Sequence, residues 1–547
     1  MIRILAGLGG LAAAVVGLVW LNYETIILAL AAREKIGDIP PTQEIAWAKG
    51  PSAAPEGDRP PNIVFILADD LGINDISTYG GGMAGGTVPT PNIDRLRAGG
   101  VSFDVAYSGT ASCAPSRGML MTGRYPTRTG FEFTPTPGRM SSIVATIANR
   151  NRGGRPKTRV NPEGGQIPYE QQGLPGSEVT IAEVLQDAGY HTVHIGKWHM
   201  GREGEFTPNN QGFDESLLMA SGLYLPEDDQ GVVNAKLDFD PIDRFLWAGM
   251  EYAAQYNNGA WFQPGGYLTD WWTDEAVEVI EANRNRPFFL YLAHWAVHTP
   301  LQATKEDYEA LAHIESHRER VYAGMMLSLD RSVGRVLDAL DAQGLTDNTI
   351  IVFSSDNGGA GYIGVPEVNH PYRGWKLTFF EGGIRVPMFM KWPSQIEAGK
   401  TVTAPVSHID VMPTLAAAAG APLPDIEIDG TNLLPIARGE TEERPHDAIF
   451  FQSAGYQVVR AEDWKLQLGA RPGTVHLFNL ADDPTEQVNL ADQHPEKVAS
   501  LTAMIEEHQA NARPPLYPHQ IEGVIAVDET INEPFDIEDD EFIIWPN

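Results

Sequence analysis

The sequence predicts an α/β fold in which a large mixed, mostly parallel sheet is sandwiched by helices and followed by a smaller antiparallel sheet with one helix. The segment NIVFILADD at 62–70 is continuously apolar and then abruptly acidic, as in a fully buried strand. Segments of the same kind recur at 191–199, 287–300 and 349–359. Helical patterns separate them at 179–190 and 321–344. Strands that alternate with helices indicate a mostly parallel sheet.

The pattern changes from about residue 440. Four short strand-like segments, AIFFQS, YQVVR, WKLQLG and TVHLFNL, precede a helical pattern near 495–512. We therefore predict a main domain at 61–438 and a C-terminal subdomain with an acidic tail at 439–547. Residues 523–547 form that tail, and we expect them to wrap the surface.

The N-terminus has the composition of an export signal. Residues 4–21 carry no charge, and a second apolar run at 26–32 is followed by charged residues. Residues 1–35 are therefore predicted to be a signal peptide or a membrane anchor. Residues 36–60 are rich in proline and predict an extended linker. We expect an exported protein that engages the export machinery and is periplasmic, membrane-anchored or secreted.

The net charge restricts the partners. The 547-residue chain carries 72 acidic and 39 basic residues, a formal charge of −33. This argues against binding to nucleic acid, because a phosphate backbone requires a basic surface. A small anionic substrate is still compatible with the charge, because salt screens it over roughly 8 Å and a local cationic pocket can act on its own.

Acidic side chains follow two of the predicted strands. Asp69 and Asp70 end the first strand, and Asp356 and Asn357 are followed by two glycines after a later one. Carboxylate and amide oxygens suit a hard cation such as calcium, and the carboxyl ends of parallel strands collect ligands at one edge. Each pair could instead serve a turn or a helix cap. Together they predict a metal site.

The chain has one cysteine, Cys113, so it cannot form an intramolecular disulfide. It lies in SCAPSRG at 112–118, where Pro115 suits the first turn of a helix. Cys113 would then lie at a helix N-terminus, where free N–H groups favour anions. Arg117, about one turn further, adds a fixed positive charge. The alternative is a buried, inert thiol.

The string CAPSR at 113–117 resembles the signature of the type I, formylglycine-dependent sulfatases of the alkaline phosphatase superfamily. Other segments resemble motifs of that family and follow in its order: ILADDLG, GKWHMG, AVHTP, SSDNGG and YRGWKLTFFEGGIRVP. The resemblance spans roughly 62–480. It implies an arylsulfatase-like enzyme that hydrolyses aryl or carbohydrate sulfate esters to an alcohol and inorganic sulfate.

The resemblance also implies a cofactor and a modified residue. Cys113 would be oxidised to formylglycine (3-oxoalanine) by a formylglycine-generating enzyme or an anaerobic maturase. One hydroxyl of the hydrated aldehyde would attack sulfur, and the second would allow sulfate to be eliminated, which serine or a thiol cannot do. The ion would be Ca²⁺, with Mg²⁺ as the alternative, and its ligands would be residue 113 with Asp69, Asp70, Asp356 and Asn357.

The family further implies a role for each charged residue of these motifs. Lys197 and Lys376 would bind the sulfate oxygens and the bridging oxygen. Arg117 would orient and stabilise the formylglycine alkoxide. His199 would contact residue 113 and assist the elimination, and His298 would protonate the leaving oxygen.

Two other histidines follow or flank these motifs. His294 and His298 have the spacing of a zinc pair, but no third nitrogen or sulfur ligand lies nearby in sequence, so His294 is assigned a structural role. His370 is a further candidate for substrate contact.

The identity of the ester is left open by the sequence. Residues 203–275 are rich in aromatic side chains, which either stack on a substrate or pack the segment down. They are Tyr224, Phe245, Trp247, Tyr252, Tyr256, Trp261, Phe262, Tyr267, Trp271 and Trp272.

Three other functions compete with a sulfatase. The first is a phosphonate or phosphodiester monoester hydrolase of the same superfamily, which resembles this chain less at the metal. The second is a transferase of charged head groups, which would bring several membrane spans where this chain has one candidate. The third is a non-catalytic glycan-binding protein on the same fold, against which the full set of site residues argues.

Overall fold

The computed structural model describes residues 23–31, 37–54, 57, 59–137, 139–150, 153–365, 367–471 and 473–547. Its helices of five or more residues are α1 (Tyr23–Ala31), α2 (Pro91–Ala98), α3 (Cys113–Thr122), α4 (Met140–Arg150), α5 (Ile181–Asp187), α6 (Pro241–Gly249), α7 (Leu268–Ala282), α8 (Lys305–Ala310), α9 (His317–Ala342), α10 (Val411–Ala419), α11 (Leu434–Arg438) and α12 (Pro495–Gln509).

The strands follow in chain order. They are β1 (Asn62–Ala68), β2 (Val101–Phe103), β3 (Ala106–Tyr107), β4 (Arg159–Val160), β5 (His191–Gly196), β6 (Glu215–Gly222), β7 (Val232–Ala235), β8 (Tyr252–Tyr256), β9 (Trp261–Phe262), β10 (Phe288–Ala293), β11 (Leu301–Thr304), β12 (Thr349–Ser355), β13 (Met388–Lys391), β14 (Lys400–Val402), β15 (Val406–Ser407), β16 (Ala448–Ser453), β17 (Tyr456–Ala461), β18 (Trp464–Leu468), β19 (Val475–Asn479), β20 (Ile521–Ala526) and β21 (Phe542–Pro546).

A ten-stranded sheet forms the centre of the molecule, in the order β14-β2-β13-β12-β1-β10-β5-β6-β8-β9. Its middle strands, from β12 through β1, β10 and β5 to β6, run parallel. Antiparallel strands flank them, with β13 beside β12 and β8 beside β6. The predicted α/β class with a mixed, mostly parallel sheet is confirmed.

Both faces of the sheet are covered, which explains why β1 is apolar throughout. Val64 and Ile66 belong to the core on one face, where α7 and α9 pack. Ile63 and Phe65 belong to the core on the other face, which includes residues of α3, α5 and α10. A strand that is buried on both sides cannot show an alternating pattern, and its continuous apolar run identifies it as central.

The four C-terminal strand segments form the predicted antiparallel sheet, β16-β17-β18-β19, and α12 packs against it. This sheet is joined to the main domain by a buried ion pair. The side chain of Lys465, on β18, is fully buried and lies 2.9 Å from both Glu381 and Glu486. The division of the chain near residue 438 stays a prediction.

The acidic tail does more than wrap the surface. β20 and β21 pair with each other, and β20 pairs with β4, to form a three-stranded sheet. Ile525 and Trp545 are buried on these strands. The acidic segment 536–541 lies between the two strands. Its charge dominates the composition of the tail, so the short apolar stretches of β20 and β21 were not recognised as strands from the sequence.

The export signal is predicted at residues 1–35. Of these, the structure describes α1, and residues 1–22 and 32–36 lie outside the described residues. Within the described part of the chain, no helix is both long and apolar enough to span a membrane. Residues 38–51 have no regular secondary structure and lie against the main domain. There Trp47 is buried and donates a hydrogen bond to Glu275 at 2.7 Å.

Candidate active site

The predicted site residues emerge at one edge of the large sheet. In the strand register, Ala68 at the end of β1 pairs with Ser355 at the end of β12. Ala293, at the end of β10, pairs with Gly196 at the end of β5. Gly196 has a φ of +106°, and a Cβ there would lie 2.0 Å from the carbonyl oxygen of Ala293. The four strands therefore end at nearly the same level, and the residues that follow them meet.

The four predicted oxygen ligands lie together. The amide of Asn357 donates to Oδ1 of Asp70 at 2.8 Å, and the backbone N–H of Asp70 donates to Oδ1 of Asp356 at 3.3 Å. Asp69 and Asp356 both contact the guanidinium of Arg117, at 3.4 and 2.8 Å. Asp70 has a φ of +58°, a conformation that non-glycine residues adopt at a cost and that concentrates at functional sites.

Cys113 is the first residue of α3 and faces this cluster. Its Sγ lies 3.6 Å from Oδ1 of Asp69 and 3.7 Å from Oδ1 of Asp70. The ammonium of Lys376 lies 3.1 Å from the same sulfur. Burial, reinforced by the charge of Asp356, raises the pKa of the thiol above its ordinary value. The unmodified side chain is therefore a neutral thiol, which is a poor nucleophile.

Three cations balance the three carboxylates. Lys197 lies 2.6 Å from Asp69, and Lys376 lies 2.7 Å from Asp70. Arg117 is fully buried, donates to Asp356 at 2.8 Å and also donates to the carbonyl of Lys197. Such pairing is required where ionised groups are removed from water.

The carboxylates of the cluster differ in proton affinity. Burial, together with repulsion from Asp356, raises the pKa of Asp69 to about 7. Burial acts in the same direction on Asp70, but Lys376 and the other nearby cations hold its pKa well below the usual range. Of these two carboxylates, Asp69 therefore binds a proton more readily.

Two histidines border the cluster. Nδ1 of His298 lies 2.6 Å from the carbonyl of Thr299, so this nitrogen donates, and Nε2 points towards Asp70 at 3.5 Å. Burial lowers the pKa of His298 to about 3. His199 has a φ of +64°, and burial and the charge of Lys197 hold its pKa well below the ordinary value.

The side chains present fit a hard divalent cation. One ligand atom from each of Asp69, Asp70, Cys113 and His298 lies within 4.8 Å of the others. The amide oxygen Oδ1 of Asn357 is buried beside them and accepts no hydrogen bond from the described residues. A buried carbonyl oxygen without a donor next to several carboxylates is what an oxygen-coordinated ion requires.

Comparison with known proteins places this geometry in a family. The family model described as Sulfatase matches residues 61–421, and a second model, N-sulphoglucosamine sulphohydrolase, C-terminal, matches residues 373–513. The chain is a member of the sulfatase family. The predicted resemblance to type I sulfatases of the alkaline phosphatase superfamily is confirmed, and the protein is a sulfuric ester hydrolase.

This sulfatase is similar to proteins with different substrates in their names. It is 31% identical to N-acetylgalactosamine-6-sulfatase of Homo sapiens, over 84% of this chain and 87% of the relative. It is also 31% identical to steryl-sulfatase of Homo sapiens, over 74% of each protein. The solved structure of Ps i-CgsB in complex with k-i-k-neocarrahexaose is 32% identical, with a TM-score of 0.68, and covers 84% of this chain and 95% of that chain. The family relationship establishes sulfate ester hydrolysis.

A cavity of about 800 Å³ opens onto the cluster of this sulfatase. Cys113, Lys197, His199, His298 and Lys376 all line it. Arg117 and the four predicted oxygen ligands lie beneath these residues and are shielded from the solvent. The structure thus brings the ten predicted catalytic and metal-binding residues to one place and separates those that face the cavity from those that support them.

Two aromatic residues of the site were missed by sequence reasoning. Tyr362 donates from its hydroxyl to Asp70 at 2.7 Å, and Lys376 donates to the same hydroxyl at 3.1 Å. The ring of Trp295 stacks on His298 with centroids 4.0 Å apart and lies 4.6 Å from the ammonium of Lys197. Trp295 stands three residues before His298, and that proximity was the available signal. Nothing in the sequence marked Tyr362.

The structure also gives the positions of the other histidines and aromatic residues that the sequence analysis considered. His294 is buried and bonded to the hydroxyl of Ser332 at 2.8 Å, in line with its assigned structural role. His370 is exposed and does not line the cavity. Of the aromatic residues named between 203 and 275, Phe245 lines the cavity, and so does Phe239, which the sequence analysis did not name. Most of the others pack into the core, namely Tyr224, Phe262, Tyr267, Trp271 and Trp272.

Proposed function

We propose that this sulfatase cleaves its ester with a formylglycine made from Cys113, assisted by a divalent cation, Ca²⁺ or Mg²⁺, held by Asp69, Asp70, Asp356 and Asn357. The observation that supports this is the position of Cys113. Its sulfur lies within 3.7 Å of two carboxylates and 3.1 Å from an ammonium group at the base of the cavity. Burial raises the pKa of this thiol and so favours its neutral form, which is a poor nucleophile, and modification would give the residue a reactive group.

Oxidation of Cys113 would supply a carbon that carries two hydroxyls when hydrated, and hence both a nucleophile and an exit route for sulfate. A divalent cation, when bound, supplies a Lewis acid that neutralises the carboxylates and polarises a sulfate oxygen. The protein's own contribution is to hold these groups still. Arg117 fixes Asp356 and the carbonyl of Lys197, and Asn357 fixes Asp70.

The cations of the cavity wall bind the substrate anion. Lys197 and Lys376 both line the cavity and carry charge beside the carboxylates. A sulfate group that enters would bring its oxygens to these ammonium groups, and the developing charge would be stabilised in a site with little water. The cationic residues at the cavity base also explain how a chain with a net charge of −33 accepts an anion.

His298 is placed to return a proton to the leaving oxygen. Its Nδ1 donates to the carbonyl of Thr299, so Nε2 of the neutral ring carries no proton of its own. Nε2 faces the cavity 3.4 Å from the ammonium of Lys376, which would supply the proton that His298 passes to the leaving oxygen. His199 also lines the cavity, and its Nδ1 is buried without a hydrogen-bond partner among the described residues. We assign proton transfer to the leaving group to His298 and assistance in sulfate release to His199.

Maturation and export complete the proposal. Cys113 is 3% exposed in the folded chain, so a formylglycine-generating enzyme or an anaerobic maturase must reach it before folding is complete. The apolar segment at 4–21 supports export, with the protein periplasmic, membrane-anchored or secreted. Residues 61–438 would form the catalytic domain and 439–547 the C-terminal subdomain.

Mass spectrometry of the peptide around residue 113, paired with aryl sulfate turnover, tests the proposal. Active protein should carry the aldehyde or its hydrate at position 113, and Cys113→Ala should lose turnover while keeping its melting temperature. Active protein with an unmodified thiol would refute it. Chelation should lower both turnover and melting temperature, and Ca²⁺ or Mg²⁺ should restore both, because an ion that binds the folded state stabilises it.

A further inference from the structure

We infer that the substrate of this sulfatase is the sulfate ester of a bulky apolar alcohol or phenol, with a fused-ring or long-chain skeleton, rather than a sulfated sugar. The inference rests on the proposed function, because it places the sulfate at Cys113. It concerns the cavity of about 800 Å³ above that residue. This volume is within the range of roughly 300–1,000 Å³ that holds ligands larger than a sulfate group.

Aliphatic side chains of two helices line the cavity above the catalytic residues. Met140, Val144 and Ile147 line the cavity from successive turns of α4, at the spacing of one helix face. Ile242 lines it from the first turn of α6. These two helices are far apart in the sequence, and both place aliphatic side chains in the wall of the cavity.

The C-terminal tail supplies another apolar wall. Val524 and Ile525 of β20 line the cavity, and so does Trp545 of β21. Leu218 and Met219, on β6, line it from the large sheet. Apolar surface on several sides is favourable for an apolar ligand, because its removal from water gains about 25 cal/mol per Å².

Three of the charged residues that line the upper cavity have partners within the protein. Asp240 uses both carboxylate oxygens to cap the N-terminus of α6. Arg155 lies over the ring of Phe535, and Arg202 lies over the ring of Tyr169. A sugar ring brings several hydroxyl groups, and those that lie against the aliphatic side chains of α4, α6 and β20 would lose their bonds to water without gaining a partner.

The surface charge points the same way. A sulfated polysaccharide carries many negative charges outside the site, and a chain with a net charge of −33 repels them. An ester with a single sulfate and an apolar body carries its only negative charge on the reacting group. The lysines at the base of the cavity provide for that group.

A series of 4-alkylphenyl sulfates tests this inference, because the alkyl chain changes the buried apolar area and leaves the acidity of the leaving phenol nearly constant. We expect kcat/KM to rise about two- to fourfold for each added methylene, the value for a well-buried CH₂, from the methyl to the octyl ester. Estrone sulfate should match the longer esters. N-acetylgalactosamine 6-sulfate and galactose 6-sulfate should lie below the methyl ester.

A substitution in the wall of the cavity provides a second test. Ile242→Asn should lower the ratio of kcat/KM between the octyl and methyl esters at least tenfold, since an amide would replace part of the apolar wall. Ile242 is the better position because Phe245, on the same helix, also packs against Ile143 and Ile147 of α4. Ser142→Asn, on the exposed side of α4, is the matched control and should leave the ratio unchanged.

The outcomes separate the two proposals. A flat alkyl series, or a sugar sulfate cleaved faster than the octyl ester, would overturn the apolar substrate and leave the proposed function standing. Absence of turnover for every ester, by protein shown to carry formylglycine and loaded with Ca²⁺, would overturn the proposed function and this inference with it.

Discussion

The hydroxyl of Tyr362 donates a hydrogen bond to Oδ2 of Asp70 over 2.7 Å. Tyr362 is buried and is not itself a metal ligand, so its contact orients a carboxylate that we assign to the ion. Partners of this kind fix the direction of a ligand and tune its affinity for a metal. Tyr362 is therefore a positioning residue of the proposed site.

Replacing Tyr362 with phenylalanine should weaken binding of the ion without unfolding the protein. We expect Tyr362→Phe to raise the Ca²⁺ concentration needed for half-maximal thermal stabilisation by about 10- to 100-fold. Turnover at saturating Ca²⁺ should fall less. Tyr308→Phe removes a hydroxyl that contacts His317 instead, and serves as the control. An unchanged Ca²⁺ midpoint in Tyr362→Phe would contradict the assigned role.

The buried pair between Lys465 and Glu381 should make a large contribution to stability. Both side chains are fully buried, and the ammonium of Lys465 also pairs with Glu486. Lys465→Met would leave Glu486 without its cation and Glu381 with Arg385 alone, and breaking a buried pair costs about 3–5 kcal/mol. We expect a clearly lower melting temperature. Lys305→Met removes a side chain that is 61% exposed and should change stability by less than about 1 kcal/mol.

A double variant separates lost charge pairing from lost packing. If the cost of Lys465→Met comes from unpaired carboxylates, adding Glu486→Gln should restore part of the melting temperature, because one buried charge is removed. A double variant that melts lower than Lys465→Met would show that packing, not charge, is the cause.

Asp75 should make the fold less stable as the pH rises. It is fully buried and accepts hydrogen bonds from Tyr322 and from the backbone of Gly72, both at 2.7 Å. Burial raises the pKa of Asp75 to about 7. The folded state therefore holds a proton that the unfolded state releases near pH 4. Stability falls between these values by up to about 1.4 kcal/mol per pH unit and is constant above them.

Asp75→Asn tests this sign. The amide oxygen can accept both hydrogen bonds, and the variant carries no titrating proton. Relative to the wild type, it should gain at least about 1 kcal/mol in going from pH 5 to pH 8. Chemical unfolding at both pH values measures the difference. Asp425→Asn changes an exposed carboxylate and should show no such gain. The prediction fails if Asp75→Asn gains no stability relative to the wild type between pH 5 and pH 8.

Much of this fold could be predicted because buried parallel strands have a plain sequence signal. β1 and β12 are continuous apolar runs, and the residues that follow them meet at the strand ends. The motif residues were found for the same reason. The short strands β20 and β21 were not, because acidic residues dominate the composition around them. The cavity was also out of reach, because α4 and α6 come together only in three dimensions.

The stacked pair of Trp295 and His298 leads to a last prediction, on catalysis. The indole holds the imidazole at a centroid distance of 4.0 Å, and its N–H donates to the carbonyl of Gly222 at 2.8 Å, which fixes the ring. The same ring lies 4.6 Å from the ammonium of Lys197. Trp295 thus positions the proposed proton donor and a sulfate-binding cation together.

Trp295→Leu removes both contacts. We expect kcat for an aryl sulfate to fall by at least about tenfold, since a misoriented acid loses part of the 10²- to 10⁴-fold that proton transfer supplies. The loss should be smaller for esters of more acidic phenols, whose leaving oxygen needs less protonation. Trp295→Phe keeps an aromatic ring and should recover part of the rate. An equal loss for all leaving groups would assign Trp295 to packing alone.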